Sequence, residues 1–160
     1  MNVAYINPLI QATQAVFTQM VHVPLALGRP YLRPADEQPS RQYGTSGAIG
    51  LSGAVSGLIV LSLSERVALA MGSGLAGTTF PELNPDCFDA LAEIVNMIAG
   101  TAKKQLPGGQ VTLTMPSLLP TAKVAFPPST PIIVIPFDTG VGRFVIQVAL
   151  QRRNAGPPAR

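Results

Sequence analysis

The segment from Asn84 to Gln105 predicts one long helix, with strand-like sequence on both sides of it. Asn84 can cap this helix, Pro85 fits its first position, and Pro107 with the two glycines after it ends the helix. The apolar runs before and after it have the length of strands and do not alternate with helices as a doubly wound sheet requires. The order of elements therefore predicts an α+β fold in which a mainly antiparallel sheet packs with two long helices.

Two other helices are predicted before this segment. Asn7 followed by Pro8 predicts the start of a helix near the N-terminus. This helix and the one from Asn84 to Gln105 are the two long helices of the predicted fold. Ser64 can open a short helix that runs through Met71 and that the glycine-rich sequence GSGLAG would end. Residues 21–46 are rich in Pro, Gly and Arg, which indicates short extended pieces joined by turns.

Strands are predicted in most of the remaining chain. Residues 47–64 contain two runs of small and aliphatic residues around a Ser-Gly turn, a pattern typical of a hairpin. Four further strands are predicted after the long helix, at residues 110–115, 121–126, 131–137 and 142–151. The last two would be joined by the sequence Asp-Thr-Gly, which we interpret as a turn and not as an aspartic protease motif.

The composition predicts one globular domain. The chain has 160 residues, 47% of them hydrophobic and 12% charged, so it can bury a core without a disulfide or a metal. Cys87 is the single cysteine, which excludes an intrachain disulfide. The first residues lack a secretory signal, and no apolar run has the ~20 residues of a membrane helix. We expect one domain over residues 1–151, a disordered tail over residues 152–160, a cytoplasmic location and no membrane contact.

Charge and motifs argue against several classes of function. The net charge is +3, but the basic residues are scattered and form no helical stripe, so we expect no nucleic-acid partner. His22 is the single histidine and has no cluster of Cys or carboxylates with it, so no metal site is predicted. The motifs of P-loop NTPases and of serine hydrolases are absent. Cys87 could have a lowered pKa in the first turn of the long helix, but a buried structural cysteine is the expected role.

A narrow polar stripe runs along the long helix. At about 100° per residue, Asp89, Glu93, Asn96, Gly100 and Lys103 gather on one line, and apolar residues border that line on both sides. An ordinary surface helix spreads its polar residues over about half of its circumference. The stripe therefore indicates a helix that faces a partner, although a solvated face without function is the commoner explanation of such a pattern by itself.

The segment DALAEIVNMIAG, from Asp89 to Gly100, carries a family resemblance together with the N-terminal YINPLIQAT and the hairpin GAIGLSG…GLIVLSLSE. These sequences resemble the CheX branch of the CheC/CheX/FliY chemotaxis phosphatases. The signature of that family is an acidic or hydroxyl residue, then a Glu one turn later, then an Asn three residues after the Glu. Asp89, Glu93 and Asn96 match it residue for residue.

The resemblance implies hydrolysis of the phospho-aspartate of CheY or a CheY-like response regulator. Such a receiver carries Mg²⁺ and a lysine beside its acyl phosphate, so the phosphatase would bring no cofactor of its own. Asn96 would orient the attacking water, and Glu93 would pair with the receiver's lysine. Asp89, Gly100 and Lys103 would belong to the surface that binds the partner.

The resemblance also bears on assembly and on the rest of the signature. Family members with two sites carry the motif on the first helix as well, where this chain has Gln11 and Gln14 but no Glu. We interpret these two glutamines as solvent-exposed residues. The members that this chain resembles carry one motif and form homodimers, so the resemblance implies a homodimer. The signature ends with a proline, and both Pro116 and Pro120 lie near the expected distance.

Two alternatives to catalysis stay open. The chain could be a non-catalytic adaptor that binds a receiver or a flagellar-switch-like protein through the same helix. It could also be a structural dimer module, in which the stripe from Asp89 to Lys103 is buried between two copies.

Overall fold

Three α-helices form in residues 2–153, which are the residues that the structure, a computed structural model, describes. They are α1 (Val3–Val16), α2 (Glu65–Ala76) and α3 (Pro85–Ala102). A π-helical turn, Phe17–Val21, continues α1, and a 3-10 turn, Lys103–Gln105, continues α3. None of the described helices is long and apolar enough to cross a membrane. The predicted tail lies outside the described residues from residue 154 onward.

The strands of the described residues form one eight-stranded antiparallel sheet. Its members are β1 (Ala26–Leu27), β2 (Tyr31–Leu32), β3 (Thr45–Gly53), β4 (Val55–Leu63), β5 (Val111–Leu113), β6 (Ser117–Pro120), β7 (Ile133–Thr139) and β8 (Gly142–Arg152). At one edge β1 and β2 pair with different parts of β7, and the order continues through β8, β4 and β3. At the other edge β5 and β6 pair with different parts of β3. This sheet, packed with helices, confirms the predicted α+β fold.

The main core lies between one face of this sheet and the helices. Side chains alternate along a strand, so every second residue of the central strands points into that core. Ile59, Ile135 and Phe144 are examples, each at most 2% exposed. The ring of Phe144 stacks on those of Phe17 and Phe137, with centroids 5.4 and 5.2 Å apart. These aromatic contacts hold the end of α1 against the β7–β8 hairpin.

The sequence placed both ends of α3 correctly but misplaced one end of each of the other two helices. The prediction that α1 starts at Asn7 and Pro8 was wrong, because Asn2 is the cap and its Oδ1 accepts a hydrogen bond from the Ala4 amide at 3.0 Å. Pro8 lies inside the helix and lacks one i→i−4 hydrogen bond, while burial of its ring stabilises the packed helix.

The glycine-rich sequence GSGLAG ends α2 only at its last glycine, Gly77, so the predicted end near Met71 is several residues too early. Gly72 and Gly74 lie within the helix, which ends at Gly77 with φ of 71°. A Cβ added to Gly72 would lie 2.9 Å from the Cys87 Sγ, and one added to Gly74 would clash with the Val21 carbonyl. These two glycines therefore let the backbone of α2 approach its neighbours closely.

The two predicted hairpins are confirmed as β3–β4 and β7–β8, but the strand predicted at 121–126 is wrong. Strand β6 precedes that segment, and a 3-10 turn starts at Thr121. Pro120 pairs with Thr45 at the beginning of β3, so the chain has no further partner strand and leaves the sheet there. The Thr121 Oγ1 lies 2.8 Å from the Ser46 Oγ, which is itself 2.8 Å from the Ser62 Oγ. This buried hydroxyl chain fixes the end of β6.

Candidate active site on the third helix

Local sequence determines where α3 starts. Asn84 is the cap, and its Oδ1 accepts a hydrogen bond from the Cys87 amide at 2.9 Å. Pro85 occupies the first helical position, where its missing N–H would have no partner in any case. Asp86 lies in the first turn, where a carboxylate interacts favourably with the positive end of the helix dipole.

One side of α3 is fully packed. Its buried residues are Cys87, Leu91, Ile94, Val95, Ile98, Ala99 and Ala102. They pack against the neighbouring helices and β3 within the main core. A Cβ on Gly47 of β3 would lie 2.6 Å from a Val95 methyl group, so this glycine lets the helix approach the sheet. The packing holds α3 rigidly and fixes which of its side chains face outward.

Asp89, Glu93 and Asn96 are exposed along one line of α3, and Gly100 continues that line. No hydrogen bond or ion pair within residues 2–153 engages the three side chains. A Cβ at Gly100 would meet open space, so no contact inside the chain requires a glycine at this position. Lys103 is half-buried at the edge of the line, where the 3-10 turn begins. The line is therefore free to contact another molecule.

Half of the eight acidic residues of the chain lie at or near the first half of α3. These are Glu82, Asp86, Asp89 and Glu93, and all four are exposed. No lysine or arginine occurs between Arg66 and Lys103. The outer surface of α3 is therefore locally acidic on a chain of net charge +3. This cluster was not predicted, although the long run without a basic residue is a signal for it in the sequence.

A groove of about 460 Å³ lies beside the start of α3. Its walls come from three separate parts of the chain: Pro85, Phe88 and Asp89 on α3, Leu118, Leu119 and Pro120 on β6, and Gly44 with Thr45 at the start of β3. The groove is mainly apolar, and Asp89 is shared between it and the exposed line. The groove could not be predicted from the sequence because no strand was predicted over the residues of β6.

The two prolines that could match the family signature lie in different places. Pro120 lines the groove, and Pro116 is half-buried between β5 and β6. Gln11 and Gln14 are exposed on α1, as interpreted from the sequence.

Cys87 and His22 lie away from the exposed line. The Cys87 thiol is completely buried, and this burial raises its pKa, contrary to the lowering that the helix dipole could produce. His22 is exposed and ends the π-helical turn in a left-handed conformation with φ of 57°. In the part of the chain that the structure describes, no group of three or more His, Cys, Asp or Glu side chains could hold a metal ion.

Comparison with known proteins shows what this chain resembles. The profile of the family described as "Chemotaxis phosphatase CheX" matches residues 45–138, a range that contains the whole of α3. The structure of chemotaxis protein CheX from Vibrio vulnificus is similar, with a TM-score of 0.81 and 24% identity over 92% of this chain and 99% of that one. No curated protein matches significantly.

Two further structures extend the likeness. A chain of the CheX–CheY–BeF3–Mg²⁺ complex from Borrelia burgdorferi has a TM-score of 0.76 and 23% identity, over 92% of this chain and 98% of that one. FliY from Thermotoga maritima is more distant, with a TM-score of 0.65 and 15% identity over 89% of this chain and 84% of that one. At such identities the structures show the fold alone. The profile covers more than half of the chain, and the chain therefore belongs to the CheX family of chemotaxis phosphatases, within the CheC/CheX/FliY group.

Proposed function

We propose that this chain dephosphorylates the phospho-aspartate of CheY or of a CheY-like response regulator. The observation that carries the proposal is the exposed and unengaged pair of Glu93 and Asn96 on α3, in a member of the CheX family. The pair projects from a helix whose opposite side is fully packed, so its position relative to the fold is fixed.

The reaction needs few catalytic groups on the phosphatase. Water attacks the phosphorus in line with the bond to the aspartyl oxygen, that bond breaks, and the products are inorganic phosphate and the free carboxylate. A neutral amide can donate one hydrogen bond and accept another, so Asn96 can hold this water in the attacking direction. An Asp or Glu at the same position could only accept, and a lysine could only donate.

Glu93 has a docking role in this proposal. It lies one turn before Asn96 on the same line of the helix, close enough for both to reach one site on a partner. A carboxylate there can form a charge-assisted hydrogen bond with the receiver's lysine and fix the register of docking. Asp89, Gly100 and Lys103 extend the contact surface along the helix.

The partner would supply the metal. The Borrelia burgdorferi complex contains CheX, CheY, BeF3 and Mg²⁺ together. For this chain we propose that Mg²⁺ is held by the receiver and offsets the charge of the phosphoryl group, with no cofactor held by the phosphatase itself. We also propose a homodimer, which light scattering on the purified protein would test.

The decisive experiment measures the lifetime of phosphorylated receivers with and without this protein. We expect the protein to shorten the lifetime of at least one CheY-like receiver encoded in the same genome. If no receiver is dephosphorylated faster, the proposal of catalysis is wrong. An adaptor would give a different result, because its receiver would bind equally well to Asn96→Ala and the protein would leave the dephosphorylation rate unchanged.

A further inference from the structure

We propose that the groove beside the start of α3 is a second contact site for the receiver, and that it selects the receiver by binding an apolar side chain that has a basic residue next to it. This inference rests on the proposed function, because the occupant is a part of the protein that docks on Glu93 and Asn96.

Position is the first reason. Asp89 belongs both to the groove and to the exposed line, one turn before Glu93. A stable protein–protein interface covers about 800 Å² on each partner, which is far more than the tip of two side chains. A receiver that docks on Glu93 and Asn96 therefore has to contact neighbouring surface as well, and the groove adjoins the exposed line at Asp89.

The chemistry of the walls is the second reason. Phe88 and Leu118 are half-buried, and each packs on the main core with one part and borders the groove with the other. Apolar pockets at an interface bind apolar anchors, and such anchors supply most of the binding energy. The groove thus has a rigid apolar floor.

Charge is the third reason. Asp89 stands at the rim, Asp86 and Glu82 are exposed nearby in sequence, and no basic residue lies between Arg66 and Lys103. No ion pair within residues 2–153 neutralises these carboxylates. A basic residue beside the apolar anchor complements this surface, and a receiver with an acidic residue there is disfavoured.

The test uses the full-length protein and a phosphorylated receiver whose lifetime the wild-type protein shortens. For Phe88→Ala we expect the KM to rise about tenfold, as for loss of an interface anchor, with kcat changed by less than about twofold. Phe88→Leu should recover most of the loss. Asp89→Asn should raise the KM about threefold at low salt, with a smaller difference at high salt.

A blocking variant avoids the risk that Phe88→Ala unfolds the core. A Cβ at Gly44 meets nothing within 4 Å, so Gly44→Phe adds a ring at the groove without removing a contact. We expect it to raise the KM by about fivefold or more. Leu27→Ala serves as the control, since Leu27 is 44% exposed in β1 at the opposite edge of the sheet and should leave the KM unchanged.

The outcomes separate the two proposals. If the wild-type protein is active and both Phe88→Ala and Gly44→Phe keep a KM within about twofold of the wild-type value, the groove is not a contact site and the proposed function stands. If the wild-type protein acts on no receiver, the proposed function fails and the groove loses its proposed occupant with it.

Discussion

Helices α1 and α3 contact each other on one face of the sheet and repeat one another position by position. Each begins at an asparagine, Asn2 or Asn84, whose side-chain oxygen accepts a backbone hydrogen bond. Each then presents a line of four outward positions with the same spacing. These are Asn7, Gln11, Gln14 and Thr18 on α1 with its π-helical turn, and Asp89, Glu93, Asn96 and Gly100 on α3.

The two lines share their spacing along the chain and differ in their chemistry. The line on α1 has no charged residue, whereas the line on α3 has two carboxylates in front of an amide. Both lines face outward from a packed helix, so exposure alone cannot distinguish a site from a solvated face. If α3 is the active helix, its activity must come from the identity of Glu93 and Asn96 and from the groove beside them.

The largest difference between the two helices is expected when the side-chain amide is removed from the same position of each. We expect Asn96→Ala to reduce the acceleration of receiver dephosphorylation by about 100-fold or more, because the attacking water is no longer oriented. Gln14→Ala at the matching position of α1 should leave the rate unchanged. The measurement is the phospho-receiver lifetime at saturating phosphatase. Equal effects of the two substitutions would mean that Asn96 has no special role.

Removing the carboxylate tests docking separately from water positioning. We expect Glu93→Gln to raise the KM for the phosphorylated receiver by about tenfold, because a charge-assisted hydrogen bond to the receiver's lysine is lost. The effect should shrink as salt is added. Gln11→Glu, which introduces the missing carboxylate on α1, should leave the KM within about twofold of the wild-type value. A fall in kcat at unchanged KM for Glu93→Gln would contradict the docking role.

The same comparison explains how far the sequence could predict the structure. The start of α3 was predictable because Asn84 and Pro85 directly precede a long periodic segment, and no other asparagine lies just before that segment. The start of α1 was not, since two asparagines precede apolar periodicity and only the packed structure distinguishes Asn2 from Asn7. The exposed line was predictable because it depends on one helix.

The groove was not predictable because it depends on long-range pairing. Its walls come from α3, from the start of β3 and from β6, which carries a proline at its end and lies between two predicted strands. The need for glycine at Gly72 and Gly74 was not predictable either. It arises because Cys87 and Val21, which are distant in sequence, lie close to these two positions in the fold. Local patterns predict elements, but the contacts between elements decide which small residues are required.

Removing the cap of either helix should have a smaller effect. The loss of stability should differ between the two caps. Asn84 accepts from the amide of the buried Cys87, whereas Asn2 accepts from the exposed Ala4. We expect Asn84→Ala to lower the free energy of unfolding by about 1 kcal/mol and Asn2→Ala by about 0.5 kcal/mol. Urea unfolding of the two variants would measure both. A larger loss for Asn2→Ala would mean that the end of α1 contributes more to stability than its exposure indicates.

The smallest effect concerns Gly100, where stability and activity should change in opposite directions. A Cβ at this position meets nothing within 4 Å, so Gly100→Ala should raise the free energy of unfolding by about 0.5 kcal/mol through helix propensity alone. The same methyl group would stand between α3 and a closely docked receiver, and we expect it to raise the KM by about twofold to fivefold. Thr18→Ala at the matching position near the end of α1 should leave the KM unchanged. If Gly100→Ala is more stable and binds the receiver as well as the wild-type protein, the receiver does not approach this end of the line, and the contact surface is confined to the half of α3 that carries the carboxylates.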